Sequence, residues 1–123
     1  MEEIARLDHV YQYNELMGIE TLHPLVSVID MSKCPRMRHS RRLYGFYCIF
    51  LKDVKCGDLR YGRNYYDYQE GTLVFTAPGQ VVGVEDNGEV FQPKGWALLF
   101  HPDLIRGTSL GRNIGRYTFF SYE

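Results

Sequence analysis

Residues that could hold a metal ion are few in this chain and lie far apart. Four histidines are spread along it, at His9, His23, His39 and His101. The three cysteines, Cys34, Cys48 and Cys56, show no Cys-x-x-Cys spacing. A catalytic metal site needs about three protein ligands and an open coordination position. The spacing therefore predicts no metal and no other cofactor, and it places the histidines in caps and loops.

Acid–base catalysis requires paired groups held close together in a dry cleft. The acidic candidates are Asp58, Asp67, Glu70, Glu85 and Asp86. Glu70 precedes a turn glycine and Asp86 belongs to an Asp-Asn-Gly turn, so both are expected in solvent. Asp67 lies on a predicted strand without an evident partner, and Cys48 is expected to be a small core residue. Since the sequence also shows no Ser/His/Asp ordering, it predicts a protein that is not an enzyme.

A basic run could contact phosphates, and it consists of Lys33, Arg36, Arg38, His39, Arg41 and Arg42. The run contains Pro35 and has no interleaved aromatic residues on which bases could stack. The net charge of the whole chain is −1, which argues against a domain that binds polyanions. A solvated loop, or an arm that packs on another domain, is favoured over a DNA site.

The length of 123 residues predicts one domain, spanning 1–123, with a core of its own. Ten tyrosines and seven phenylalanines favour strands, because aromatic rings pack well on a half-buried pleat. The acidic first residues contain no apolar run, and the cysteine count is odd, so we expect reduced thiols and a cytoplasmic protein. Since no apolar run approaches the roughly 20 residues of a membrane span, we expect no membrane partner.

The elements predicted from the pattern are mostly short strands. Apolar residues near helical spacing predict a helix over 2–16, which Gly18 ends. Strands are predicted at 24–30, 44–53, 59–68, 72–77, 80–85, 95–101 and 117–122. Residues 31–42 are predicted to form a loop, 86–88 a hairpin turn, and 102–114 one or two helical turns broken by Gly107 and Gly111. Trp96, on an apolar strand, is expected in the core.

The order of the motifs resembles one particular kind of domain. A Glu-Gly turn at 70–71 and a Pro-Gly turn at 78–79 frame a strand, as in the second half of a cupin barrel. The other motifs are His-Pro-Leu-Val-Ser-Val at 23–28, Tyr-Gly-Phe-Tyr at 44–47, Leu-Arg-Tyr-Gly at 59–62, Gly-Trp-Ala-Leu-Leu-Phe-His-Pro-Asp-Leu at 95–104 and Phe-Phe-Ser-Tyr at 119–122. From about Tyr13 onward, the chain resembles the N-terminal cupin-like sensor domain of AraC-type bacterial transcription regulators.

The resemblance implies an α+β, mainly β fold: a cupin-like antiparallel β-barrel of jelly-roll type, with an N-terminal helix and a short C-terminal helical segment. In a metal-using cupin, a histidine commonly lies a few residues past the Pro-Gly turn. Here the residues at 80–83 are Gln, Val, Val and Gly. The resemblance therefore implies a barrel without metal chemistry, which is more often a receptacle than an enzyme.

In that family the domain binds a small effector, or dimerises, or both, and a pair of helix-turn-helix units that follows it reads DNA. No such pair is present in these 123 residues, so we expect a fragment of a homodimeric regulator that contacts DNA only through the absent part. The effector's chemical class is open. Two alternatives also remain open: a small stand-alone cupin enzyme, such as an isomerase or dioxygenase, and a carbohydrate- or small-acid-binding module.

The expected effector site lies inside the barrel. Tyr47, Tyr66 and Phe75 would supply apolar walls, and Arg60 would supply the polar contact to a carboxylate or hydroxyl. Placing Arg60 and Tyr66 together assumes that even-numbered residues of the predicted strand 59–68 point inward, and a one-residue slip would reverse this. Rings that simply fill a small barrel are an equally weighted alternative.

Overall fold

The computed structural model describes residues 4–52, 58–61, 64–67 and 72–117. Within these ranges the strands are β1 (Ala5–Leu7), β2 (Val26–Asp30), β3 (Met37–Arg38), β4 (Arg41–Tyr44), β5 (Tyr47–Lys52), β6 (Asp58–Tyr61), β7 (Asn64–Asp67), β8 (Thr72–Thr76), β9 (Val81–Gly83), β10 (Val90–Phe91) and β11 (Trp96–Phe100). The helices are α1 (Val10–Leu16), α2 (Pro102–Ile105) and α3 (Ser109–Asn113), with 3₁₀ turns at Met31–Lys33 and Ile114–Arg116.

Four antiparallel strands form the central sheet, in the order β2-β11-β5-β8. β11 pairs along its whole length with both neighbours, so Leu98 lies opposite Val28 on one side and Ile49 on the other. β8 extends the sheet, with Phe75 opposite Ile49. Because successive side chains of a strand point to opposite faces, these pairings define which residues share each face of the sheet.

A second sheet has the order β1-β4-β9, and β6 lies beside its β9 edge. β9 runs antiparallel to β4, whereas β1 runs parallel to it. At the end of β9, Gly83 has a φ of +94°, and a Cβ built there would lie 2.2 Å from the carbonyl oxygen of Ser40. Glycine is therefore required where β9 approaches the chain that enters β4.

Two further pairs complete the described strands: β3 with β10, and β6 with β7, both antiparallel. Across residues 4–52, 58–61, 64–67 and 72–117, every sheet remains open. The expectation of a mainly β chain with a few short helices is confirmed. The closed jelly-roll barrel is not found among these residues.

Local hydrogen bonds set the beginning of α1 and correct the predicted helix over 2–16. The Gln12 side chain accepts hydrogen bonds from the backbone amides of Asp8 (2.8 Å) and His9 (2.9 Å), so the helix begins after His9. The preceding residues form β1 instead, whose pairing with β4 occupies them in a sheet. Gly18, with a φ of +71°, lies just past the helix end as predicted.

Three other predictions are wrong in an instructive way. The predicted loop 31–42 contains a 3₁₀ turn, β3 and the first part of β4. The predicted strand 59–68 contains two strands, β6 and β7, paired with each other. The predicted hairpin at 86–88 is a connection between different sheets, since β9 pairs with β4 and β10 pairs with β3. In that connection, the Asp86 carboxylate accepts the Gly88 amide at 2.8 Å.

The remaining strand predictions agree with the structure within a few residues. β2, β5, β8, β9 and β11 lie inside the predicted ranges 24–30, 44–53, 72–77, 80–85 and 95–101. The predicted helical turns after residue 102 are α2 and α3, separated near Gly107, although Gly111 lies within α3. The predicted strand 117–122 falls, apart from its first residue, outside the described residues.

Candidate functional site

The inner face of the central sheet is mostly buried in the part of the chain that the structure describes. It is defined by Ile29, Cys48, Val74, Ala97 and Leu99, and each of these side chains is at most 3% exposed. Their positions follow the alternation expected along each strand, so Cys48 faces inward on β5 while Tyr47 and Ile49 face outward.

Helix α1 and an aromatic cluster close this inner face. Tyr13 of α1 meets Tyr44 edge to face, with ring centroids 5.6 Å apart, and Tyr44 stacks on Phe46 at 5.1 Å. Met17 and Phe46 are 1% and 0% exposed. Burial raises the pKa of Tyr44 to about 12. The side chains of α1 and these rings thus fill the space over the inner face.

One polar side chain of α1 is buried in this core and fully partnered. The amide nitrogen of Asn14 donates to the Thr21 hydroxyl (3.1 Å), and its amide oxygen accepts from the Ser27 hydroxyl (2.8 Å). Ser27 belongs to β2, so the pair of bonds ties α1 to the edge of the central sheet. Because both amide atoms of the buried Asn14 have hydrogen-bond partners, the cluster stabilises the fold.

Cys48 and Thr76 face each other across the β5–β8 pair and are both 0% exposed. The Thr76 hydroxyl has no oxygen or nitrogen partner among the described residues, which leaves the Cys48 thiol as a weak one. Burial raises the pKa of Cys48 to about 12, and the interaction with Thr76 offsets only part of that rise. A thiol in this state is protonated at neutral pH and is a poor nucleophile, as expected for a core cysteine.

The outer face of the central sheet carries three registered rows of side chains. The first row is Val26, Phe100 and Tyr47; the second is Val28, Leu98, Ile49 and Phe75; the third is Asp30, Trp96, Leu51 and Leu73. Asp30 is the one carboxylate in these rows, at a corner of the sheet. Its hydrogen bonds from Ser32 lower its pKa, so it is charged at neutral pH. Apart from this corner, the outer face is apolar.

The chain covers the first row with its own C-terminal elements. Ile105 of α2 and Ile114 of the 3₁₀ turn pack with Phe100, and all three are at most 8% exposed. Tyr47 stacks on Phe100 with centroids 5.0 Å apart, which partly buries the phenol and raises its pKa. We call α2, α3 and this 3₁₀ turn the cover.

Local capping holds the cover in place. The His101 ring nitrogen Nδ1 accepts the Asp103 amide at 3.1 Å at the start of α2. The Thr108 hydroxyl accepts the Gly111 amide at 3.0 Å and donates to the Ile105 carbonyl at 2.5 Å, which links the end of α2 to the start of α3. Such side-chain caps replace the backbone partners that short helices lack.

The third row and Val28 of the second row are less covered, whereas Leu98, Ile49 and Phe75 of the second row are partly buried and pack against the same cluster as Phe100. Val28 is 67% exposed, Leu73 is 54%, Trp96 is 50% and Leu51 is 36%. Large apolar side chains in one contiguous patch are unusual on a soluble monomer and mark interaction surfaces. We call these two rows the open rows, and they are the candidate functional site.

The predicted site residues divide between this face and a separate pair of strands. Tyr47 and Phe75 both lie on the outer face, in the first and second rows. Arg60 and Tyr66 belong to β6 and β7, where Arg60 is opposite Tyr65 and Tyr66 is opposite Leu59. Positions 60 and 66 therefore belong to two paired strands, and the side chains of Arg60 and Tyr66 lie outside what the structure describes, so their grouping stays a prediction.

The histidines and the basic run serve local contacts. The rings of His9 and His101 stack at 5.7 Å, and His39 stacks on Phe91 at 4.4 Å. In the basic run, Arg38 pairs with Asp86 at 2.9 Å, which ties β3 to the segment after β9. Among the described residues, no group of three or more histidine, cysteine or acidic side chains could hold a metal ion.

In the described part of the chain, no helix is long and apolar enough to cross a membrane. No family model, curated protein or solved structure matches this chain. The fold therefore defines the class: a mainly β domain whose central sheet is apolar on both faces. The inner face of that sheet is covered, and the outer face is covered only in part.

Trp96 is the residue that the sequence analysis misplaced most clearly. It was expected in the core because its strand is apolar, yet its side chain is 50% exposed. The signal lay in the composition of β11, Trp-Ala-Leu-Leu-Phe, which is apolar at every position. A strand with apolar residues on both faces needs a packing layer against each face. Only the inner face of β11 is fully covered, so Trp96 on the outer face stays half exposed.

Proposed function

We propose that this chain is the sensing and dimerisation domain of an AraC-type transcription regulator, and that self-association is the role its surface supports best. The proposed fold is a cupin-like jelly roll, to which the central sheet and the β1-β4-β9 sheet would contribute. The protein acts without enzymatic activity of its own, in the cytoplasm, and controls DNA binding by a helix-turn-helix domain outside these 123 residues. The ordered motifs at 23–28, 44–47 and 95–104 carry the resemblance.

The exposed apolar surface of the open rows is the observation that carries the association role. Val28, Trp96 and Leu73 are each half or more exposed in one patch. Burying such side chains stabilises a complex by about 1.5–3 kcal/mol for each full side chain, and a patch this continuous exceeds what scattered surface residues provide.

Effector sensing finds its support on the same side of the sheet. Tyr47 and Phe75 supply aromatic surface in neighbouring rows, and Tyr47 carries a phenol that can form a hydrogen bond to a small polar ligand. A ligand that preferred one arrangement of the domain would shift the population of that arrangement.

The regulatory role is tested by attaching the chain to a DNA-binding domain that represses its operator only as a dimer. We expect the fusion to restore repression, because the sensor domain would bring two DNA-binding domains together. A fusion in which the DNA-binding domain is followed by an unrelated monomeric protein is the control. Repression no greater than that of the control would contradict the association role.

The sensing role is tested by a thermal-shift screen of sugars and small acids. A ligand at 100 times its dissociation constant stabilises the protein by about 2.7 kcal/mol, which corresponds to a melting shift on the order of 10 °C for a domain of this size. We expect the shift to shrink in Tyr47→Ala and Phe75→Ala, and to persist in Tyr11→Ala on α1. Arg60→Ala and Tyr66→Ala test the polar contact and wall expected from sequence. Equal shifts in all these variants would place the ligand elsewhere.

A further inference from the structure

The open rows form a surface that suits a second copy of the same chain. We infer that two copies associate face to face through the second and third rows of the outer face, an inference that rests on the association role proposed above. The exposed members of this surface are Val28, Trp96, Leu51 and Leu73. They lie on all four strands of the central sheet, so the surface spans its full width.

The charge of the surface favours a copy of itself over a charged partner. The two rows hold one carboxylate, Asp30, and it lies at a corner where β2 ends. A polyanion or a strongly acidic or basic protein would find almost no charge to pair with there. Two copies with a net charge of −1 each also meet little long-range repulsion.

The shape of an antiparallel sheet permits this packing. Two sheets pack face to face about 10 Å apart, with side chains from both inner faces interdigitating to form the layer between them. Leu98 and Ile49, half-buried in the middle of the second row, would become the centre of that layer. A surface that meets its own copy about a two-fold axis needs no second complementary patch.

The cover restricts how the two faces can meet. It stands on the first row at one end of the strands, packed on Phe100 through Ile105 and Ile114. If the two strand directions matched, the two covers would occupy the same space between the sheets. A two-fold axis running across the strands, between the open rows, instead sets the second row of one copy over the third row of its partner. Trp96 then faces apolar side chains of the partner's second row.

The size of the surface predicts weak association. A standard interface takes about 800 Å² from each partner, and the largest apolar patch of an ordinary monomer is roughly 300–600 Å². Four exposed apolar side chains are few beside the roughly 20–30 residues that a standard interface takes from each partner, so we expect a weak dimer, with a dissociation constant on the order of micromolar. This affinity suits a domain whose assembly is reinforced by other parts of a larger protein.

Trp96 makes the inference directly measurable, because it is the one tryptophan of the chain and lies within the proposed interface. Sedimentation equilibrium should show a reversible monomer–dimer equilibrium. Over the same concentrations, the fluorescence of Trp96 should shift to the blue, since association would move a half-exposed indole out of water. Coincident midpoints of the two curves are the expected result.

Leu73→Lys and Val90→Lys form a matched pair of variants. The two residues are 54% and 52% exposed and both lie on strands, but Val90 belongs to β10, outside the central sheet. A lysine at position 73 would be buried in the dimer without a partner charge, so we expect at least a tenfold weaker dimer. Val90→Lys should dimerise like the wild type. Melting curves of both variants verify that they are folded.

Three results would overturn the inferred interface, and they differ in whether the proposed association role would remain. A dimer that Leu73→Lys does not weaken, with unchanged Trp96 emission, would move the interface elsewhere and leave the association role intact. A monomer at all concentrations with the red emission of a wet indole would remove self-association and point to a different partner. A monomer whose Trp96 emission is blue even at high dilution would mean that the chain covers the open rows itself.

Discussion

Substituting two glycines that share a backbone conformation but not their surroundings gives a sharp test of the second sheet. Gly83 has a φ of +94° and Gly79 a φ of +87°. An alanine at either position adopts a conformation that costs about 1–2 kcal/mol for a residue with a Cβ. At Gly79 nothing lies within 4 Å of the added Cβ, so this strain is the whole expected effect.

At Gly83 the added Cβ would also collide with the backbone. It would lie 2.2 Å from the Ser40 carbonyl oxygen and 3.3 Å from the Ser40 carbonyl carbon. Backbone atoms cannot rotate aside as a side chain can, so β4 and β9 must separate near the Arg41–Gly83 pair. Overpacking of this kind costs a further 1–3 kcal/mol or so, which brings the expected loss for Gly83→Ala to about 2–5 kcal/mol.

Urea unfolding at 25 °C measures both losses. We expect Gly79→Ala to lower the free energy of unfolding by about 1–2 kcal/mol and Gly83→Ala by at least about 1 kcal/mol more, with slopes close to that of the wild type. The Gly79 amide, which donates to the Tyr44 carbonyl at 2.9 Å, keeps its bond in the alanine variant. If the two variants lost the same free energy within about 0.5 kcal/mol, the close approach of β9 to Ser40 would be refuted.

Three further predictions concern polar groups of the core. Asn14→Ala removes the bond to Ser27 and leaves that hydroxyl short of a partner, so we expect urea unfolding to show a loss of about 2–3 kcal/mol; a loss under about 0.5 kcal/mol would contradict the buried cluster. Thr76→Val replaces a buried hydroxyl that has only a weak thiol partner, and should raise the melting temperature, whereas a lower one would imply a good hydrogen bond. Burial raises the pKa of Cys48 from 9.0, and that of Tyr44 from 10.0, to about 12. As the pH rises, the unfolded chain therefore loses these protons before the folded chain does. The free energy of unfolding should be constant below about pH 9 and fall between about pH 9 and 12. Urea unfolding from pH 7 to 11 should show a shallower fall in Cys48→Ala than in the wild type, and parallel falls would refute burial of the thiol.

The strands that the sequence predicted well are those whose own side chains form the core. β11 is apolar along its length and β5 is apolar up to Leu51, and both were expected within a few residues of their observed bounds. β4 was missed because its residues, Arg-Arg-Leu-Tyr, show no apolar alternation at its start. Its strand conformation comes from backbone pairing with β1 and β9, and such pairing depends on contacts distant in sequence.

The candidate site was predictable in part. Alternation along β5 puts Tyr47 and Phe50 on different faces, but periodicity alone does not say which face is inside. The burial of Cys48 and the exposure of Leu51 decide it. The grouping of Arg60 with Tyr66 assumed a single strand through 59–68, whereas the structure has two paired strands there, β6 and β7; the grouping itself stays a prediction. Where the chain reverses cannot be derived from a pattern that alternates equally well on both sides of the turn.

The arrangement of the two faces is the reason that we propose association ahead of a buried effector site. On the inner face, Tyr13 of α1 and Met17 just past its end pack with the buried side chains of the central sheet and of β4 and β9, which leaves that side packed. On the outer face, the cluster of Phe100, Ile105 and Ile114 buries the first row and part of the second, and it leaves the third row exposed. A sheet with apolar residues on both faces gains stability from each row that leaves water. Burying the exposed side chains of the outer face against a partner would therefore stabilise the resulting complex.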